Sequence, residues 1–391
     1  MRRIGLAALV VGVCGCSAAL ADRVVLIAPQ MVAPNGSLVS DRAVVVENGL
    51  IVRVGDASEF AEDPDRMEVD GVLSPGLISL ASSLGMVDSE ASASSVEPDL
   101  RASDAFDPGQ HALGEAARSG VTGAMIVPSP TNVVCGTAAF ITTHAPDGEW
   151  FIDRDGPMLF AFGPAAYDLN LGPSSRSGVM VVLRSALDEA RRGEGSERLR
   201  EVLDGSRRAV AFCPAIDDVD SAFRAFDWYG VEVQLIHNSE PRYLAEALES
   251  TPTLVAMGPY DFSSPSWVIA GAGQVAGAGS DVALIGGAGS DAGRSVRTTA
   301  SLAVRYGLGA DAARRGITST AALYAGVEEK VGSIETGKRA DLVVFSGDPL
   351  RLESTVRWVM VGGEWVVRPS ATPLADDEFD FLSTMNDSEA R

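Results

Sequence analysis

The chain of 391 residues carries 53 acidic against 31 basic side chains, a formal charge of −22. Such a surface repels a phosphate backbone, which argues against nucleic acid as a partner. The length suffices for one large domain or a barrel with a small appended domain, and a core of that size does not require disulfide staples.

Residues 1–21 read as a secretory signal: Arg2 and Arg3 precede an apolar run over residues 4–13, and the stretch ends small-x-small at Ala19 and Ala21. The run falls short of the ~20 apolar residues of a permanent span, so no membrane span is expected. The expectation is export, to the periplasm or beyond, with Asp22 as the first mature residue. Loss of Arg2 and Arg3 takes the formal charge from −22 to −24. The stretch VCGC at residues 13–16 offers the alternative of a lipoprotein-processing box that leaves Cys16 lipidated. Cys14 and Cys16 leave with the signal; Cys135 and Cys213 are then either two buried thiols or one bridge.

From residue 22 to 73 the pattern is short strands broken by turns, at 24–27, at 43–47 before Asn48 and Gly49, and at 50–54. Asn-Gly between alternating apolar runs is a hairpin signal. The same texture returns over residues 328–370, and two β segments too short to fold alone predict one composite β-sandwich built from both chain ends. Between them, over residues 74–327, short apolar runs alternate with helical stretches, among them an amphipathic helix over 179–192. Repeated β then α at this length predicts an α/β fold with parallel strands, a TIM-like (β/α)8 barrel. The glycine-rich run 271–280 lacks the lysine and the strand-then-helix setting of a phosphate loop, and reads as a connection packed against the eighth strand. Residues 371–391, with Asp376, Asp377, Glu378, Asp380, Asp387 and Glu389, read as an acidic, solvated or disordered tail.

Several stretches together resemble one family. PGLI at 75–78, GVT at 120–122, TNVVCG at 131–136, PSSR at 173–176, IHNSE at 236–240 and VGSIETGKRADLVV at 331–344 are similar to the amidohydrolase superfamily, closest to its imidazolonepropionase-like members. The resemblance implies a metal-bearing (β/α)8 barrel flanked by a β-sandwich from both termini. In active relatives the first strand ends in an aspartate followed by two zinc-binding histidines. Here those positions fall on Ser79, Ala81 and Ser83. A methyl group cannot coordinate, and a lone hydroxyl is a poor zinc ligand beside imidazole. The family's fifth-strand histidine falls on Phe212, or in the alternative register on Cys213 or Pro214, none of them an imidazole, and its eighth-strand aspartate on Gly287 or a neighbouring small residue, with Asp291 as a later alternative. A bridging carbamylated lysine is excluded, since lysine occurs only at 330 and 338, in or beside the terminal β module. His237 alone stands where relatives have a ligand.

One imidazole does not hold a divalent ion, and without the ion no bound water is brought to a pKa of about 7. The expectation is therefore no metal and no other cofactor, in an exported homologue with a degenerate metal site that leans towards being non-catalytic. Asn132, Arg176, His237 and Glu240 occupy matched positions near strand ends, where barrel ligands sit, and are the candidate binding residues. Arg176 is either a carboxylate clamp or a loop arginine paired with an acid. His111 and His144 read as surface or capping residues. Cys213 beside His237 could form a nucleophilic pair, but strand alternation that points Phe212 inward turns Cys213 towards the helices, as a core thiol. Ser79, Ser82 and Ser83 read as polar filling of an emptied mouth. The expected role is to hold a small molecule or to pair as a homodimer or with an active paralogue. The alternative is a metal-dependent hydrolase acting on carbon-nitrogen bonds of cyclic amides or dipeptides.

Overall fold

The computed structural model describes residues 23–87, 94–168, 172–287 and 292–368. The expected signal and acidic tail lie outside these residues. Five strands open the chain: β1 (Arg23–Val32), β2 (Leu38–Glu47), β3 (Leu50–Asp56), β4 (Arg66–Glu68) and β5 (Val72–Pro75). Then come β6 (Leu77–Ser82), α1 (His111–Arg118), β7 (Val121–Ile126), β8 (Val134–Thr137), β9 (Ala139–Thr142), β10 (Phe151–Asp153) and β11 (Met158–Ala161). Strand and helix next alternate through α2 (Arg176–Arg191), α3 (Glu197–Leu203), β12 (Ala209–Phe212), α4 (Ile216–Asp227), β13 (Val233–Ile236), α5 (Pro241–Leu248) and β14 (Val255–Met257). The chain closes with α6 (Ser266–Ile269), α7 (Gly271–Gly277), β15 (Val282–Leu284), α8 (Ala292–Arg305), α9 (Ala310–Gly316), α10 (Ser319–Ala325), β16 (Leu342–Phe345), β17 (Val356–Val361) and β18 (Glu364–Val367).

Strands from both chain ends share one sheet, in the order β18-β17-β16-β5-β1-β2-β3 with β4 beside β1. Period-two alternation explains why this sheet can serve two cores. Leu342, Val344, Trp358 and Met360 join Leu26, Val44 and Val46 in a core of its own, while Val343, Phe345, Val359 and Val361 pack into the large core of the α/β unit. Backbone hydrogen bonds bring its two edges together. Ile51 N–H donates to Lys338 O at 2.8 Å, Ala340 N–H to Gly49 O at 2.8 Å and Gly363 N–H to Ala340 O at 3.1 Å. Residues 337–341 thereby tie the edge of β3 to the hairpin turn between β17 and β18. Gly49 is required at that closure: its φ is +78°, and a Cβ would lie 2.5 Å from Gly362 O.

The parallel strands form two arcs. One holds β6 and β7 parallel to each other, β9 antiparallel to β7 and β10 antiparallel to β9; the other runs β11-β12-β13-β14-β15, all parallel, with β8 antiparallel to β11. The chain crosses between the arcs on β8 and β9, which are antiparallel to their barrel neighbours where an all-parallel ring is expected. The cause is local: residues 127–133 are too few for a crossover helix, and a parallel return needs a dozen or more. Among the described residues no ladder joins β15 to β6. Helices α8 and α10 pack against both strands instead, and Ile78 N–H donates to Ile317 O at 3.0 Å.

The glycine-rich run departs from the sequence reading, because residues 271–277 are helical. A Cβ on Gly271 would lie 2.3 Å from Pro241 Cβ and one on Gly273 2.7 Å from the Gly307 carbonyl carbon. Close packing of α7 on α5 and on the turn after α8 offsets the ~1 kcal/mol that a helical glycine costs.

Candidate functional site

The C-terminal ends of β6, β12, β13 and β14 carry the positions where the family resemblance places chemistry. At the end of β6, Ser79 is fully buried and, among the described residues, its Oγ has no hydrogen-bond partner. Ala81 is half-buried with φ +47°, a left-handed conformation costly for a residue with a Cβ. The register against β7 is irregular between Ser79 and Ser82. Ser82 Oγ accepts the Leu84 N–H at 3.1 Å, and Ser83 is exposed. The side chains here bring no donor set.

At the end of β13, His237 is 2 % exposed. Its Nδ1 lies 2.6 Å from the carbonyl oxygen of Cys213, just beyond β12, and its Nε2 abuts the carbonyl oxygen of Ser239. An imidazolium would donate to both oxygens; burial opposes that charge more strongly, so the pKa lies below the ordinary imidazole value. Either way, both ring nitrogens face backbone oxygens. The surrounding turns are stitched in the same manner. Ser239 Oγ donates to Pro214 O at 2.6 Å, and Asn238 Oδ1 accepts the Gly258 N–H at 3.3 Å, across to the turn after β14.

Arg176 and Glu240 converge on the N-terminus of α4 rather than on an open mouth. Arg176 Nε donates to Asp218 Oδ1 at 2.7 Å and its Nη1 to Asp217 Oδ2 at 3.2 Å. Asp218 is fully buried, and its Oδ2 accepts the Ala215 N–H at 3.1 Å. Glu240 Oε2 accepts the Ile216 N–H at 3.0 Å. Carboxylates belong at a helix N-terminus, where orphan N–H groups and the helix dipole favour negative charge. Glu240 itself has φ +47°, immediately before Pro241 opens α5. The proline disfavours a right-handed helical conformation for the residue before it. Asp218, Ser239 and Asn238 went unnoticed in the sequence. The signal for Asp218 was present: two acids opening an apolar-periodic helix just after a strand.

Asn132 is buried in the turn before β8, where its carbonyl oxygen accepts the Cys135 Sγ–H at 3.0 Å. It sits beside β11, two strands from His237. Cys135 and Cys213 are free and buried. Burial pushes the Cys135 thiol up to about 12 and Cys213 well above the ordinary value, with Asp218 adding to the latter. Neither is a nucleophile near neutral pH. Phe212 is half-buried and packs on the main core. His111 and His144 make surface contacts with Glu115 at 3.5 Å and Glu364 at 3.6 Å. Gly287 N–H donates to Ser295 Oγ at 2.6 Å, and Asp291 lies outside the described residues.

These residues do not fit a catalytic zinc. Such a site needs three protein ligands and an open position. Ala81, Phe212 and Gly287 have no side-chain donor, Ser83 is a lone exposed hydroxyl, and both ring nitrogens of His237 lie against backbone carbonyl oxygens rather than facing an open position. Among the described residues no three His, Cys, Asp or Glu side chains gather as a metal group.

Residues 270–367 match the model of the amidohydrolase family. Solved structures agree over nearly the whole chain. An amidohydrolase from Thermotoga maritima MSB8 superposes with a TM-score of 0.78 at 24 % identity, covering 88 % of this chain and 100 % of that one. The fold is that of an amidohydrolase. The amidohydrolase arrangement extends to molinate hydrolase, with a TM-score of 0.57 at 14 % identity over 91 % and 99 % of the two chains. It also extends to a prolidase crystallised with n-methylphosphonate-L-proline, with a TM-score of 0.55 at 17 % identity over 88 % and 100 %. No curated protein sequence matches the chain. Among the described residues, no helix is long and apolar enough to cross a membrane.

Proposed function

We propose that this amidohydrolase-fold chain is a non-catalytic homologue, an exported binding or partner subunit whose degenerate site is most akin to imidazolonepropionase-like relatives. The observation that carries the reading is the conversion of the one retained ligand position. Both ring nitrogens of His237 lie against the carbonyl oxygens of Cys213 and Ser239, and an N–H donated to Cys213 O ties the turns after β12 and β13 together. Arg176 and Glu240 serve the same end, through Asp218 and the Ile216 N–H at the start of α4. Side chains that present themselves to a ligand in an active mouth here hold the mouth's own backbone.

The two arcs are read as the family's barrel, and the sheet built from both chain ends as its sandwich. The second reading, a hydrolase of carbon-nitrogen bonds, draws support from the hydrolases whose fold the chain shares. The two readings separate on metal. The mature full chain, expressed with zinc and then dialysed, is expected to retain far less than one ion per molecule and to leave N-acyl amino acids, dipeptides and cyclic amides intact. A stoichiometric ion together with turnover that chelation abolishes would overturn the proposal.

A further inference from the structure

The sheet built from both chain ends borders a cavity of about 550 Å³, lined from β1, β2, β3 and the turn at residues 334–336. That is within the ~300–1,000 Å³ typical of small-ligand pockets. Its floor is aliphatic: Met31 and Ile334, buried in the sheet's own core, with the half-buried Val39 and Val54 packed against it.

One lining residue does not belong on such a face. Arg42 shares the inner face of β2 with Val44 and Val46, and its partner across β1 is Ala28, also of that core. Beyond Arg42 the alternation changes phase, at Asp41 with φ +55° opposite Pro29, so Val39 and Met31 return to the same interior. The guanidinium is therefore brought to the rim of an apolar chamber. Its Nη1 bonds to Asp56, whose side chain is 66 % exposed, and its other N–H groups have no protein partner among the described residues. An exposed pair of that kind is weak and easily exchanged. The other charged wall residue, Glu335, is already held by Ser333 Oγ and by Lys338 Nζ at 2.9 Å.

We propose that this cavity binds a small amphipathic monocarboxylate, its alkyl chain on Met31, Val39, Val54 and Ile334 and its carboxylate on the unused fork of Arg42. A guanidinium offers two parallel N–H groups matched to a carboxylate, and an aliphatic floor selects the rest. The neutral alcohol of equal length lacks that anchor.

Isothermal titration of the full mature chain with octanoate, kept below its micelle concentration, tests this, with octanol as the neutral probe. Octanoate is expected to bind saturably and about tenfold more tightly than octanol. Arg42→Gln is expected to erase that preference. Asp56→Asn, which releases Arg42, is expected to strengthen octanoate binding severalfold, and its opposite direction guards against a variant that merely misfolds. Val39→Trp is expected to abolish binding of both probes. Absence of saturable binding, or equal octanoate affinity in wild type and Arg42→Gln, overturns the proposal. Binding that appears only after removal of residues 369–391 also overturns it, by making the chain's own tail the occupant.

Discussion

Replacement of His237 by phenylalanine separates a histidine that braces the fold from one that waits for a metal. Phenylalanine keeps the ring volume, so the cavity penalty of a truncation is small. What it removes is an N–H donor next to two carbonyl oxygens in a site 2 % exposed. A buried acceptor left without its donor costs ~1–3 kcal/mol. At about 2.1 cal/mol/K of unfolding entropy per residue, a chain of this length has ~0.8 kcal/mol/K, so ~2 kcal/mol lowers the Tm by about 2–3 °C. Burial also holds the His237 pKa below the ordinary value. The unfolded chain therefore binds the proton first as pH falls, and the stability present above ~6.5 is lost on acidification, by up to ~1.4 kcal/mol per pH unit down to the lowered pKa. Chemical denaturation at pH 7.5 and pH 5.5 should show wild type losing more stability than His237→Phe over that interval. Zinc should raise the Tm of neither protein. Equal stability and equal pH profiles, together with a zinc-dependent rise in wild type that the variant lacks, would show the imidazole to be a ligand and refute the reasoning.

Three further outcomes follow from the packing and the termini. Arg314 is 6 % exposed and bonds Gly36 O at 2.9 Å, Asp311 at 2.9 Å and Asp348 at 2.6 Å, joining the turn between β1 and β2 to α9 and to the turn after β16. Arg314→Met should cost ~3 kcal/mol in urea unfolding, with part of that loss recovered by Asp348→Asn in the double variant, because the damage lies in the stranded carboxylate. The native mature protein should show no thiol reactive with a disulfide reagent at pH 8 and two after denaturation, since Cys135 and Cys213 are buried and their pKa values raised. Sequencing of the secreted form should begin at Asp22; a lipid-modified Cys16 would instead establish the anchored alternative.

Two glutamates and a glycine run show where sequence reading ends. The hairpin at Asn48 and Gly49, the Asp-Leu-Val strand after Arg339 and the β-then-α rhythm of residues 121–285 were legible, because hydrophobic period and turn chemistry are local properties. So was the absence of imidazole between Gly71 and Val87, for no folding supplies an atom the chain lacks. What Glu240 and Glu335 touch was not legible. Glu240 meets an amide 24 residues back and Glu335 meets Lys338 three residues on, yet both belong to the same residue type on a turn. Likewise the run from Gly271 became a helix because Pro241 and Gly307 come within reach of it.

The sequence by itself determined which donors exist, which strands alternate and where the turns fall, since these depend on side-chain chemistry and short-range backbone preference. Only the tertiary structure decided that the nitrogens of His237 turn to two carbonyls, that Arg176 meets a buried aspartate 42 residues away, and that Arg42 stands at the mouth of an apolar chamber. Except for the Ser239 carbonyl two residues on, those are contacts between distant segments, and their energies are set by burial and neighbours that no local window of sequence contains.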